Sequence, residues 1–314
     1  MTTQRVFVTG GAGFIGRWVV AQCLKQGYQV VVYDNLQAGS VDHLLEFADR
    51  IDFYEADILD AATLQAVMEE TQPVIVFHLA ALHFIPYCNA HPQETLRVNV
   101  EGTYNVLNAA ARAGVRTAIV ASSGAIYPSV EGLIPETLPP APVDIYGLSK
   151  LLTEQVAEQF ARTTDMACVA ARLFNTYGPF ETNPHLIPHI VASLQQGPVV
   201  ELGNIHTKRD YIYVEDVARL LVALGERVTE GYEIVNVGTG QEYSAEEIVE
   251  TLSELMGQKI TIRIDPDRVR AVDKLHQRAD TTRLQQLTGM LPEITLREGL
   301  ARLLQHEGLP VRTQ

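Results

Sequence analysis

Cysteine is scarce in this 314-residue chain. Cys23, Cys88 and Cys168 are too few and too scattered for a disulfide framework, and without a CxxC pair they suggest no zinc site. Buried thiols in a reducing compartment are the reading that remains. Positive charge is scarce too. Lys and Arg number 24 against 38 Asp and Glu, and the net charge of −14 is a poor match for nucleic acid or an anionic membrane. An anionic small substrate stays compatible with that balance if a few arginines gather in a cleft. No apolar run approaches the ~18 residues of a membrane span, and residues 1–4, ahead of the first strand, leave no room for a signal peptide. Internal repeats and low-complexity tracts are missing. The expectation is a cytoplasmic globular protein, long enough for one large domain or two unequal ones sharing a cleft.

What the chain does have is glycine in one telling place. Residues 6–16 read VFVTGGAGFIG. Val6-Phe7-Val8 has the character of a buried strand, and Phe14-Ile15 with Trp18-Val19-Val20 that of the apolar face of a helix. Between them Gly10 suits a tight turn, Gly13 lets backbone approach a diphosphate, and Gly16 lets helix and sheet pack closely. A diphosphate would sit on the helix N-terminus, where N–H groups and the helix dipole favour an anion. A second strand, 29–33, ends in Asp34 about 20 residues further on, where a carboxylate can bind a ribose 2′-hydroxyl. Together these features predict dinucleotide binding. Asp34-Asn35 favours NAD over NADP, because a carboxylate repels a 2′-phosphate and no Arg stands at that turn.

Strands and helices alternate through the first half, with strands at 6–9, 29–33, 51–54, 74–78 and 117–121. This rhythm predicts an α/β fold: a doubly wound parallel Rossmann sheet over 1–175, rejoined by segments near 207–237. A smaller C-terminal α+β lobe follows over 176–314. Asp57-Ile58 follows the third strand, and Asp57 either faces a cofactor or caps the helix starting near Ala61. The small residues of Leu79-Ala80-Ala81, just past the fourth strand, allow a cofactor to lie against the backbone. His78 reads as a hydrogen-bonded structural residue. Asn99 opens a long helix, either capping it or bridging elements of a site, and composition favours the cap. After Ser122-Ser123 at the end of the fifth strand comes a proline-rich loop, 128–142, that should cross the rim of a cleft. Helix resumes at Asp144 and carries Tyr146 and Lys150, four apart on one face. A phenol is a poor base at neutral pH, but an adjacent ammonium and a positive nicotinamide both favour its phenolate. The pair can therefore take a proton from an alcohol while its hydride leaves, and Ser123 can hydrogen-bond the same oxygen. An unremarkable helix surface is the weaker reading, because the pair follows a Ser-Ser at a strand end.

The spacing Gly10-xx-Gly13-xx-Gly16, Asp34-Asn35, His78-Leu79-Ala80-Ala81, Asn99 within VNVEGT, Ser123, Tyr146 with Lys150, the run RLFNTYGP at 172–179, Arg209-Asp210-Tyr211 and Val214-Glu215-Asp216-Val217 are similar to one known pattern. Over nearly the full chain they resemble the NAD-dependent nucleotide-sugar epimerase/dehydratase family of extended short-chain dehydrogenases. The resemblance implies NAD held throughout the cycle, in contact with Gly10, Gly13, Phe14, Ile15, Gly16, Asp34, Asn35, Asp57, Ile58, Leu79, Ala80, Ala81, Asn99, Tyr146 and Lys150. It implies Tyr146 as base, Lys150 as its electrostatic partner and ribose ligand, and Ser123 as hydrogen-bonding partner of the reacting oxygen. It also implies a lobe gripping a nucleoside diphosphate sugar and a homodimer built on two long helices.

Substrate contacts are expected from His83, Ser123, Asn175, Arg209 and Arg270, the arginines because a guanidinium fork matches phosphate. Exposed salt bridges with Asp210 or Asp273 are the alternative for those arginines. Tyr177 lies in the same stretch as Asn175. Dehydratases and decarboxylases of the family carry a carboxylate two residues after the Ser/Thr position, whereas Gly124 and Ala125 follow Ser123 here. The expected activity is therefore NAD-dependent epimerisation, at C4 of a UDP-hexose, through a transient 4-keto sugar. A dehydratase or 4-ketosugar reductase drawing its missing acid from the His83 loop or a cysteine is one alternative, and a non-catalytic NAD-binding protein another. His83 is a candidate additional acid or base. Gln277 falls where the galactose epimerases limit bulk on C2. No metal site is indicated.

Overall fold

Runs such as Val30-Val31-Val32 and Ile75-Val76-Phe77 lack polar alternation, so they can pack only where both faces are covered. All six residues lie fully buried in the middle of a seven-stranded sheet. The computed structural model describes residues 4–268 and 275–312, so Arg270 and Asp273 lie outside the described residues. From edge to edge the sheet runs Tyr232–Val237, Ala167–Leu173, Thr117–Ser123, Ile75–His78, Arg5–Thr9, Gln29–Asp34 and Ile51–Glu55, and every pairing is parallel. The chain starts at the centre, steps outward to Ile51–Glu55, then crosses back to Ile75–His78 on the other side of Arg5–Thr9. Connections therefore leave these two neighbours in opposite directions, and a crevice opens beyond their C-terminal ends.

Helices Phe14–Lys25 and Val214–Arg227 close one face of the sheet around Val8, Val32, Phe77 and Leu221. On the other face helices Ala61–Thr71, Gly102–Arg112 and Ile145–Thr163 surround Phe7, Val31, Val76 and Leu107. A second core lies beyond the sheet. It gathers helices Leu186–Leu194, Ala245–Met256 and Leu296–His306 on a small sheet of Glu242–Ser244, Lys208–Tyr213 and Asn175–Tyr177. Lys208–Tyr213 runs directly into helix Val214–Arg227, so one continuous stretch links the second core to the main sheet. All three cysteines are buried and free. Among the described residues no helix is long and apolar enough to cross a membrane.

Two helix-cap readings need correction. Asn99 does not cap a helix. The helical path begins at Pro92, passes through a π-helical turn over Arg97–Glu101 and continues as Gly102–Arg112. Proline is tolerated in a first helical turn, which is why the start lies seven residues earlier. The wider turn frees the Asn99 carbonyl, and the hydroxyls of Thr103 and Thr153 donate to it at 2.5 and 3.3 Å. Asp57 is not the cap of Ala61–Thr71 either. That role belongs to Asp60, whose side chain accepts from Thr63 N–H, while Asp57 turns back to accept from Leu59 N–H at 2.8 Å. The proline-rich loop includes a two-residue strand, Leu133–Ile134, paired in parallel with Arg278–Ala279. Two residues are too few for a periodic signal.

Candidate active site

The site begins where Arg5–Thr9 ends. Gly10 has φ +70°, and a β-carbon there would come within 2.7 Å of Ala80 N; one on Gly16 would lie 2.0 Å from the Gly10 carbonyl oxygen. Both glycines are therefore required by the fold of the loop itself. Gly13 is the N-cap of helix Phe14–Lys25 and offers no side-chain cap, so the first-turn amides of Phe14, Ile15 and Gly16 are left to the cleft they line.

Asp34 ends the adjacent strand. It accepts from Ala12 N–H at 3.0 Å and Leu36 N–H at 2.8 Å, is 7% exposed, and faces the same cleft. Burial raises its carboxyl pKa, and the two amides oppose that shift. Asn35 lies beside it, its amide donating to Asp57 at 3.0 Å; Asp57 and Ile58 line the far end. Leu79, Ala80 and Ala81 form the wall next to Gly10. His78 stays behind it, one ring nitrogen 2.7 Å from the Thr9 hydroxyl and the other 2.9 Å from the Thr103 hydroxyl. Burial, with a smaller contribution from Lys150, pushes that imidazole down to about 3, as befits a neutral structural ring. Asn99 is also one layer back: its amide pairs with both backbone groups of Leu82 and donates to the Ser149 hydroxyl at 2.9 Å. The bridging alternative is the one the structure adopts.

Helix Ile145–Thr163 is started by Asp144, whose carboxylate accepts from Gly147 N–H at 2.7 Å. Helical spacing then sets Tyr146 and Lys150 on the cleft side. Lys150 Nζ donates to the Ala121 carbonyl at 2.8 Å and lies 5.9 Å from the Tyr146 ring centroid. Ser123, at the end of its strand, hydrogen-bonds the Tyr146 hydroxyl. Burial pushes the Tyr146 phenol up to about 12 and the Lys150 ammonium down to about 8. The phenol thus stays protonated until a further positive charge arrives beside it. One helical turn beyond Lys150, Glu154 takes two hydrogen bonds from Arg172 at 2.7 and 2.8 Å and one from Ser122 at 2.5 Å. Arg172 also donates to the Tyr127 hydroxyl at 2.6 Å, so this buried pair locks helix Ile145–Thr163, two strand ends and the rim loop together.

Opposite Tyr146 the wall comes from the second core. Asn175 and Arg209 line it, the Arg209 guanidinium also donating to its neighbour's carbonyl at 2.9 Å. Asp210 is fully buried and accepts from Thr239, Gly240 and Ala279, so its carboxylate is committed inward rather than to Arg209. Tyr177 lines the cleft too, but its hydroxyl donates to the Leu296 carbonyl within the second core. Gln277 donates to the Gly124 carbonyl at 2.6 Å and closes the end next to Ser123. His83 lines the cleft with both ring nitrogens engaged, by the Ala81 backbone and by Asn183 at 2.8 Å. Burial first, then His185 and Lys150, push it down to about 4. Held in this way, the ring is neutral and positions Asn183. Sequence reasoning missed Glu181 and His185, which also line this wall. Their Glu-xxx-His spacing was the available signal, obscured by the flanking prolines. The cleft measures about 1230 Å³, above the ~300–1,000 Å³ of a single small-ligand pocket. It has room for a dinucleotide and a second ligand.

Comparison with known proteins agrees with this geometry. Residues 6–238 match the model of the NAD dependent epimerase/dehydratase family. A UDP-glucose 4-epimerase of Mycolicibacterium smegmatis is 33% identical, over 96% of this chain and 98% of its own. A GDP-6-deoxy-D-mannose reductase of Pseudomonas aeruginosa is 31% identical, over 96% of each. The crystal structure of a UDP-glucose 4-epimerase from Thermotoga maritima with UDP-glucose superimposes with a TM-score of 0.88 at 29% identity, covering 97% of this chain and 99% of that one. The glycine cradle, the carboxylate at the second strand end and the Ser-Tyr-Lys cluster thus stand in a chain that belongs to the NAD dependent epimerase/dehydratase family.

Proposed function

We propose that this protein is an NAD-dependent epimerase acting at C4 of a nucleoside diphosphate hexose, UDP-linked as in the similar epimerases. The observation that carries the reading is the surroundings of Tyr146: the triad of Ser123, Tyr146 and Lys150 is complete, while Gly124 and Ala125, beside it, carry no acid. Elimination of water needs a proton donor for the leaving group, whereas C4 inversion needs only the triad and room for a flat ketone to turn. Bound NAD supplies the acceptor, and then the donor, of the C4 hydride.

Gly10, Gly13 and the amides of Phe14, Ile15 and Gly16 would hold its diphosphate, and Asp34 with Asn35 a ribose. Asp57 and Ile58 would border the base, and Leu79, Ala80 and Ala81 the nicotinamide half. Asn99 contributes by fixing Leu82 and Ser149. Tyr146 takes the O4 proton as a phenolate, Ser123 steadies the same oxygen, and Lys150 holds the phenolate and a ribose hydroxyl. Asn175 and Arg209 meet the sugar diphosphate, with Arg270 as a further candidate. Exposed Tyr104 and Leu148, on the two long helices Gly102–Arg112 and Ile145–Thr163, support a homodimer. A cytoplasmic location fits the acidic, cysteine-poor composition.

The test is incubation of the protein and NAD with UDP-, GDP- and dTDP-hexoses, followed by proton NMR, with Tyr146→Phe as control. A C4 isomer of unchanged mass, reduced at least 100-fold in the variant, is expected. A product lighter by one water would replace the epimerase reading with a dehydratase.

A further inference from the structure

Three successive residues at the end of strand Thr117–Ser123 each hold one residue of helix Ile145–Thr163. The Ala121 carbonyl accepts from Lys150 Nζ at 2.8 Å, the Ser122 hydroxyl donates to Glu154 at 2.5 Å, and the Ser123 hydroxyl bonds the Tyr146 hydroxyl. On the helix the three partners, Tyr146, Lys150 and Glu154, are spaced by four and so share one face. The mechanism above uses the first two and leaves Glu154 without a task.

Glu154 is nonetheless held from several sides. Its carboxylate and the Arg172 guanidinium are each 3% exposed. Arg172 stands directly beside Ser122 in the sheet and closes a fork on Glu154, from Nε at 2.8 Å and Nη2 at 2.7 Å. The guanidinium is fixed in turn by the Tyr127 hydroxyl at 2.6 Å and the Glu136 carbonyl at 3.2 Å, and Tyr127 donates its own proton to Asn236 at 2.8 Å. From the edge strand, the Tyr232 hydroxyl donates to the Glu154 carbonyl at 3.1 Å. Glu154 and Arg172 stand behind the cleft wall rather than in it. Stability alone does not account for such a pair, because a well-packed apolar pair of similar volume often serves a fold as well or better. What a fully bonded fork adds is one allowed geometry.

We propose that Glu154, clamped by Arg172 and Ser122, is a positioning residue of this active site: it sets helix Ile145–Thr163 in register on the strand end, and so delivers Tyr146 to Ser123 and Lys150 to the Ala121 carbonyl. The inference rests on Tyr146 and Lys150 as the proton-transfer pair. A slip of one residue along a helix is about 1.5 Å, enough to part Tyr146 from Ser123, and a misplacement of about 1 Å costs on the order of 100-fold in rate. The carboxylate also acts through its charge. Burial pushes the Lys150 ammonium down to about 8; Cys88 and then Glu154 oppose that shift, while His78 and His83 nearby are neutral rings. Glu154 thereby helps keep Lys150 charged, as partnership with a phenolate requires.

The experiment compares wild type with Glu154→Gln, which keeps the shape but loses the fork and the charge, and with Ser122→Ala, which keeps both charges and removes one rung. Rates with NAD and the nucleotide hexose that the wild type epimerises are read alongside 13Cε-lysine NMR of the ligand-free protein, where Lys150, one of five lysines, is assigned through Lys150→Met. Glu154→Gln should lower kcat at least about tenfold with KM within about twofold, because the residue touches no ligand. It should also bring the Lys150 titration midpoint down by at least about half a pH unit. Ser122→Ala should lower kcat about threefold and leave that midpoint in place, and it carries the test alone if Glu154→Gln does not fold. Wild-type kcat in Ser122→Ala or in folded Glu154→Gln overturns the proposal, as does a loss confined to KM or to urea stability, which would give the pair to the fold alone. If the wild type turns over no sugar, the epimerase reading falls by itself. The Lys150 midpoint in Glu154→Gln then decides this inference: a fall sustains it, and an unmoved midpoint overturns it.

Discussion

Lys150 shows what burial does to a single residue. Its ammonium is 5% exposed, donates to the Ala121 carbonyl, and is pushed down to about 8 by burial. The ordinary lysine value is 10.5, so above about 8 the unfolded chain holds this proton more tightly than the folded one. Lys150 by itself should therefore add a rise in stability with pH from about 8, set against the fall that the buried thiols of Cys23, Cys88 and Cys168 contribute above about 9 and Tyr146 above about 10, all four being raised by burial. Lys150→Met should remove that rise between about 8 and 10, as read by urea unfolding across the pH series. Parallel curves for variant and wild type would mean that the ammonium is not strained by burial. Tyr146 and Lys150 were legible in the sequence because a helix converts a spacing of four into one face. Glu181 and His185 share that spacing but lie among Pro179, Asn183 and Pro184, where no periodicity says which way a side chain turns.

At the scale of the element, the π turn at Arg97–Glu101 is where composition misled. Asn at an apparent helix start reads as a cap, and the local sequence holds nothing to oppose that. What decides is tertiary: Asn99 faces the Leu82 backbone and Ser149, groups 17 and 50 residues away. The two roles part company in Asn99→Asp. Aspartate caps a helix as well as asparagine does, so a cap would tolerate the change. A bridge would not, because the Leu82 carbonyl and Ser149 lose their donor and a charge is buried. We expect a loss of at least about 2 kcal/mol in denaturant unfolding, and a stability within error of wild type would restore the cap. The sheet strands needed no such help. Unbroken Val and Ile runs between glycines and prolines read directly as buried parallel strands, and their order follows once crossovers are right-handed and short.

For the molecule as a whole, the question is what holds the second core over the end of the sheet. Much of the answer lies in Phe180, a non-glycine residue at φ +72°, beside Gly178 and Pro179. Its ring meets the Arg17 guanidinium, the His43 ring at 5.2 Å and the His306 ring at 4.8 Å. Arg17 directly follows Gly16 of the dinucleotide loop, His43 belongs to the 3-10 segment Val41–Arg50, and His306 ends the last helix. One side chain therefore ties the glycine-loop side of the cleft to the second core, and it sits next to Glu181. A desolvated cation–π contact contributes about 2 kcal/mol, and each edge-on ring pair about 0.5–1.5 kcal/mol. Arg17 keeps its bonds to the His43 carbonyl and to Glu46 without Phe180, so the glycine loop should hold its shape. Phe180→Ala should therefore leave NAD affinity within about threefold of wild type by calorimetry. It should weaken nucleotide-sugar binding to the NAD-loaded protein by at least tenfold, about 1.4 kcal/mol, because the wall bearing Asn175, Glu181 and His185 is no longer anchored. Equal losses for both ligands would show that Phe180 serves the fold in general, and the coupling of cofactor loop to sugar wall would have to run elsewhere.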